Sequence, residues 1–332
     1  MTINPEDVIG GERRALARAI TLIESGADQH QELAQQLLES LLPHAGHSIR
    51  LGISGSPGVG KSTFIEAFGQ LVIEQGHRLA VLAVDPSSPV AGGSILADKT
   101  RMQNLANNPQ AFVRPSPSSG TLGGVARKTR EAMLVCEAAG YDLIIVETVG
   151  VGQSEFQVAD MVDFFIVLMA PNAGDEIQGI KKGIIEIADA IVITKADGNN
   201  LTAAEKTRLD YERALAIVAA DDNWQPPVLA CSATEGSGLI EIWDMLSRFK
   251  QIADQKGLIT DKRERQNLKW LDTLLHAIIA AQFTSDPMLK QSRAKLQQQV
   301  LEGQVSPLRA AQLLAEWIKH DFTPLGTGQN SE

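Results

Sequence analysis

Short apolar runs and helical stretches alternate through the middle of this chain. "RLGIS", "RLAVLAVD", "AFVRP", "DLIIVET", "FFIVLMA", "AIVITK" and "PVLACSA" are continuous rather than alternating in polarity. Continuous apolar strands separated by helices predict a parallel sheet covered on both faces. Both ends of the chain carry a helical period instead. Near the N-terminus, Leu16, Ile20 and Ile23 share one face, and Leu33, Leu37, Leu38 and Leu41 share another after a break at Gly26–Asp28. Beyond Cys231 only helical patterns remain, over Leu239–Ile252, Lys262–Phe283, Pro287–Leu301 and Pro307–Ile318. The expected organisation is an N-terminal helical extension (1–45), a central α/β domain (46–255) and a C-terminal helical arm (256–332). The tail "GTGQNSE" is expected to fray.

Composition narrows the possible roles. The chain has 332 residues, 44% of them hydrophobic and 21% charged, which suits a globular protein with a substantial core. A formal net charge of −10 argues against general nucleic-acid binding and gives no attraction to anionic lipid. The N-terminus lacks an apolar core of signal-peptide length, and no later run is long enough to span a membrane. Cys136 and Cys231 show no metal-ligand spacing, and a reducing compartment is the better reading of them than a disulfide. The cytoplasm is expected, although an organellar precursor cleaved before residue 1 reads the same.

The stretch "GISGSPGVGKSTFIEAFG" lies between the first apolar run and an amphipathic segment. Gly55, Gly60, Lys61 and Ser62 fit the pattern Gly-x4-Gly-Lys-Ser/Thr, with Pro57, Gly58, Val59 and Thr63 filling and following the loop. Glycine permits the close backbone approach with which N–H groups wrap a diphosphate. Lys61 can reach the β- and γ-phosphates, the Ser62 hydroxyl can ligate Mg²⁺, and the next helix points its positive end at the anion. Chance is the alternative reading of such a short pattern, but this match also falls between a strand and a helix, the context that a P-loop requires.

Acidic residues at strand ends distinguish a hydrolytic switch from other phosphate sites. Asp85 ends the second run and Glu147 the fourth, where a parallel sheet brings them to the phosphate-loop edge. Glu147 stands where an Asp normally holds Mg²⁺ through water. Gly150 can donate its N–H to a γ-phosphate, so "ETVGVGQSE" reads as a switch released on hydrolysis. Asp85 and Asp98 are candidates for Mg²⁺ coordination or for orienting the attacking water. For Asp98 a solvated loop position is an equal alternative.

Two further matches choose the base. "TKAD", Thr194 to Asp197, resembles the guanine motif Asn-Lys-x-Asp with Thr for Asn. Asp197 could accept from guanine N1–H and its exocyclic amine, and the Lys195 stem could cover the ring. Adenine lacks that donor pair. Ser232 and Ala233, in "CSATEG", supply a second guanine-loop signature, so GTP is expected rather than ATP. Asp197 as the cap of a helix from about Thr202 would leave the second match unexplained.

With these motifs, "VDPSS", "GGSILADKTRM", "RPSPSSGTLGGVARKT" and "GDEIQGIKKGIIEIAD", the sequence closely resembles the MeaB-type GTPases, G-protein chaperones of adenosylcobalamin-dependent methylmalonyl-CoA mutase. The resemblance implies a SIMIBI-class P-loop fold, Mg²⁺-dependent hydrolysis of GTP to GDP, and a homodimer formed through the C-terminal arm. It places Asp85, Asp98 and Glu147 around Mg²⁺ and the hydrolytic water. It also implies a mutase-responsive loop at Asp175–Lys182, with Gln178 and Lys181 at its responsive positions. Gating of cofactor loading and protection of the mutase follow from the resemblance alone. Read from its residues, "APNAGDEIQGIKKG" is either a mobile loop or a solvated helix N-terminus.

Two rival functions remain. A transport-associated ATPase or protein kinase for basic amino acid uptake would prefer ATP and transfer a phosphoryl group to protein. A nickel-insertion GTPase would carry clustered ligands, but the six histidines do not cluster, and His44 with His47 reads as a polar turn.

Overall fold

A computed structural model describes residues 3–25, 27–84, 102–116, 122–148, 154–171, 182–218, 223–285 and 287–321. The seven apolar runs form seven strands: β1 (Ile49–Gly55), β2 (Leu79–Val84), β3 (Ala111–Ser116), β4 (Leu143–Thr148), β5 (Phe164–Met169), β6 (Ala190–Ile193) and β7 (Val228–Ala230). They make one parallel sheet in the order β3-β2-β4-β1-β5-β6-β7. Every residue of β4 and of β5 is buried, which is why those segments show no alternation in sequence. β3 is an edge strand, and Pro115 is accommodated there because an edge can lose a ladder donor.

Helices cover the sheet. α1 (Pro5–Ile9), α2 (Arg13–Glu24) and α3 (Asp28–Leu41) precede it. Between strands lie α4 (Lys61–Glu74), α5 (Gln103–Asn107), α6 (Leu122–Ala138), α7 (Ser154–Ala159), α8 (Lys182–Glu186) and α9 (Leu201–Val218). After β7 come α10 (Leu239–Lys256), α11 (Leu258–Ser285), α12 (Pro287–Leu301) and α13 (Pro307–Asp321). Phe64 and Phe68, one turn apart on α4, stack at 5.4 Å between centroids and are fully buried with Leu51, Ile53 and Leu79.

Two sequence expectations change in detail. Leu33 is 41% exposed, and Ala34 takes the buried place on α3 beside Leu37, Leu38 and Leu41. The side that packs is decided by neighbours rather than by leucine content. The sequence reading also passed over α1, a single five-residue turn whose start is marked by Pro5 and by Asn4 accepting from the Glu6 N–H.

The chain divides into two compact units, Met1–Arg263 and Glu264–Glu332. Within the first, Arg263 reaches Asp163 through Nε and Nη2 at 2.8 and 2.6 Å and donates to the Gly46 and Ser48 carbonyls, each at 2.7 Å. Arg50 pairs with Glu137 in the same buried network. In the second unit, α12 and α13 enclose a groove of about 600 Å³ lined by Leu296, Val300, Pro307, Ala310 and Leu314. Among the described residues no helix is long and apolar enough to cross a membrane.

Candidate nucleotide site

The site lies at the C-terminal edge of the central strands, where a parallel sheet opens its crevice. β1 ends at Gly55, and α4 begins at Lys61. A Cβ on Gly55 would stand 2.6 Å from the Leu168 carbonyl oxygen, too close for any side chain. Gly60 has φ +103°, a left-handed conformation that glycine adopts freely, and it turns the loop into the helix. Ser62 and Thr63 follow Lys61 in the first turn of α4, where backbone N–H groups lack intrahelical partners. Val59 is buried, while Pro57 and Gly58 face outward.

Lys61 Nζ donates to the Gly55 carbonyl at 2.6 Å and the Ser56 carbonyl at 3.2 Å. Burial lowers its pKa from the ordinary lysine value, and the Glu147 and Glu155 carboxylates oppose that shift. Glu147 is 4% exposed at the end of β4, and Ser62 Oγ donates to its Oε1 at 3.4 Å. The P-loop hydroxyl and the β4 acid are therefore neighbours, as expected from their strand positions. Beside them, Thr148 Oγ1 donates to Ser54 Oγ at 3.0 Å, joining the ends of β1 and β4.

The base motif is also assembled. Thr194 Oγ1 lies 2.7 Å from the Val59 carbonyl and 3.2 Å from that of Met169, so this Thr ties the base loop to the phosphate loop. Lys195 adopts φ +54°, rare for a residue with a side chain, and its Nζ donates to the Gly58 carbonyl at 2.7 Å. Asp197 Oδ2 accepts from the Ser232 hydroxyl and from Thr234 Oγ1. It makes no capping bond to the helical turn that follows it, which removes the capping reading. Ala233 lies next to Ser232 on the same loop, partly exposed.

The described residues thus bring together Gly55, Gly60, Lys61, Ser62 and Glu147 around the glycine-rich loop. Asp197 and Ser232 meet on the neighbouring loops, and Lys195 reaches the glycine-rich loop at Gly58. Asp85, Asp98, Gly150, Asp175, Gln178 and Lys181 lie outside the described residues. Sequence reasoning passed over Glu155, buried on α7 and acting on Lys61, and Thr234, which joins Asp197. Glu155 had a faint signal, as the acid eight residues after Glu147 in "ETVGVGQSE".

Residues 16–288 match the family model described as "Methylmalonyl Co-A mutase-associated GTPase MeaB". The chain belongs to the MeaB family. A probable GTPase of Mycobacterium tuberculosis is 50% identical to it over 310 residues, covering 93% of this chain and 92% of that protein. The GTPase ArgK of Escherichia coli is 55% identical over 262 residues, 79% of each chain. The mouse methylmalonic aciduria type A homolog, mitochondrial, is 47% identical over 323 residues, 94% of this chain and 78% of that one. A crystal structure titled LAO/AO transport system kinase aligns with a TM-score of 0.76 at 42% identity, covering 95% of this chain and 96% of the other. This MeaB-family chain is a P-loop GTPase, a nucleotide-binding enzyme that hydrolyses GTP.

Proposed function

We propose that this chain is a Mg²⁺-dependent GTPase switch that binds an adenosylcobalamin-dependent methylmalonyl-CoA mutase, gates its cofactor loading and protects it. The observation that carries this reading is the family match across residues 16–288, whose description names that mutase, on a chain with an assembled P-loop. In this reading Lys61 and the α4 N-terminus hold the β- and γ-phosphates and offset the charge that develops as water attacks in line. Asp197 with Ser232 reads guanine. Asp85, Asp98 and Gly150 complete the γ-phosphate side, and Asp175, Gln178 and Lys181 form the loop that meets the mutase.

The donors around Ser62 suit magnesium. A hydroxyl and a buried carboxylate are hard oxygens, the ligand type that Mg²⁺ takes. Ser62 and Glu147, with Asp85 and Asp98, would hold the ion, which would neutralise phosphate charge when bound. A homodimer is supported by α11, where Leu268, Leu271, Leu275 and Ile278 recur at heptad spacing and are each more than half exposed. Both cysteines are free and buried, which suits a reducing compartment such as the cytoplasm.

The test is multiple-turnover hydrolysis of GTP and of ATP with Mg²⁺, each with and without methylmalonyl-CoA mutase. GTP turnover that the mutase accelerates supports the switch and its partner. ATP preference, or indifference to the mutase, overturns the partner and favours the transport-kinase reading.

A further inference from the structure

Asp197 is held from two sides. Its Oδ2 accepts a hydrogen bond from the Ser232 hydroxyl, and Ser232 Oγ in turn accepts from the Glu235 N–H at 3.2 Å. Thr234 Oγ1 lies 3.2 Å from the same Oδ2 and 3.0 Å from Ser232 Oγ, so its single proton is shared between them. The three side chains make a closed triangle that joins the loop after β6, which carries Asp197, to the loop after β7. Ser232 is fully buried, but Thr234 is exposed on the site's surface.

A lone Asp side chain rotates about its terminal torsion with little resistance. Reading a purine edge requires both carboxylate oxygens in the plane of the base, facing N1–H and the 2-amino group together. Ser232 supplies one restraint through Oδ2, which leaves the carboxylate free to pivot about that bond. Thr234 supplies a second direction of restraint on the same oxygen.

We propose that Thr234 is a specificity-positioning residue, fixing the plane of the Asp197 carboxylate so that it registers the 2-amino group of guanine. The inference rests on Asp197 being the base reader. Thr234 touches neither phosphate nor base in this role; it acts through Asp197. Its loss therefore weakens guanine more than hypoxanthine, which offers N1–H but no 2-amino donor.

The experiment is a titration of GDP, IDP and XDP against the full-length protein and its Thr234→Val, Thr234→Ser and Asp197→Asn variants. Thr234→Val keeps the side-chain shape and removes the hydroxyl. It is expected to weaken GDP about fivefold, the scale of one net hydrogen bond. IDP should weaken less, so the preference for GDP over IDP shrinks by about threefold, and Thr234→Ser should restore it. Asp197→Asn exchanges an acceptor for a donor and should move the preference from GDP to XDP, whose base has a carbonyl at C2. If Asp197→Asn makes that exchange and Thr234→Val leaves the GDP-to-IDP ratio at its wild-type value, the positioning role is wrong and the base reader stands. If Asp197→Asn retains the preference for GDP, the base assignment itself fails, and the role of Thr234 goes with it.

Discussion

Replacing Thr194 by Val removes one oxygen and keeps the shape of the side chain. The site is 4% exposed, so no solvent and no cavity enter the comparison. What disappears is the hydroxyl donor 2.7 Å from the Val59 carbonyl, in a residue itself 2% exposed. Met169 is less affected, because its carbonyl also takes the Thr194 backbone N–H at 2.8 Å. Losing a partner at a buried carbonyl costs about 1–3 kcal/mol. Val59 sits between Gly58 and Gly60 in the phosphate loop, so the damage falls on the part that must be shaped before a diphosphate arrives. If about half the cost reappears as reordering of the loop on binding, GDP affinity falls by about two- to tenfold, since 1.4 kcal/mol is a factor of ten. Two measurements decide it: urea unfolding without nucleotide, and titration with GDP. Thr194→Asn offers an amide donor at the same position and should recover most of both losses. A Thr194→Val protein that is destabilised yet binds GDP like wild type would refute the link between base loop and phosphate loop.

Other perturbations test the charges. Arg263→Met leaves the wholly buried Asp163 carboxylate with only part of its hydrogen bonding, chiefly the Arg50 N–H at 2.7 Å; a loss of about 3–5 kcal/mol in urea unfolding is expected, and a loss under about 1 would contradict the network's importance. Glu137 is pushed up by burial but held lower overall by hydrogen bonds and charge from Arg50, with Ser48 and Arg263 adding to it. A depressed carboxylate contributes stability above its unfolded pKa and loses it as pH falls through the folded one. Wild type should therefore weaken as pH drops below about 4.3, and Glu137→Gln should be less stable at neutral pH but flatter on the acid side. An unchanged acid limb in that variant would assign the loss to other groups. For Lys61, burial lowers the pKa and Glu155 helps to raise it, so Glu155→Gln should lower it further. The alkaline fall in GDP affinity then moves to lower pH; a shift the other way would refute the coupling.

The fold was legible in the chain where burial is uniform. β4 and β5 are buried at every position, so their apolar runs needed no partner to be recognised, and parallel pairing followed from the helices between them. The phosphate loop was legible because its residues are adjacent: a strand, a glycine-bearing turn and a helix start within a few positions. Leu33 shows the limit on the helical faces, since the choice between Leu33 and Ala34 is made by what packs against α3. The base end shows a different limit. Thr194 reads from the sequence as a flaw in a guanine motif, yet its hydroxyl bridges 135 residues to the Val59 carbonyl. What the position demands is a donor that reaches the phosphate loop, and a Thr on the end of β6 reaches it. Thr234 and Glu155 were passed over for the same reason. Their significance lies in which side chains the fold brings beside them, Asp197 in one case and Lys61 in the other. Strand order decides those meetings. β1 lies between β4 and β5, so the P-loop serine stands beside the β4 acid while the Val59 carbonyl faces the β6 end, one strand farther on. A substitution at a strand end is therefore better judged by the loop it reaches than by the motif it departs from.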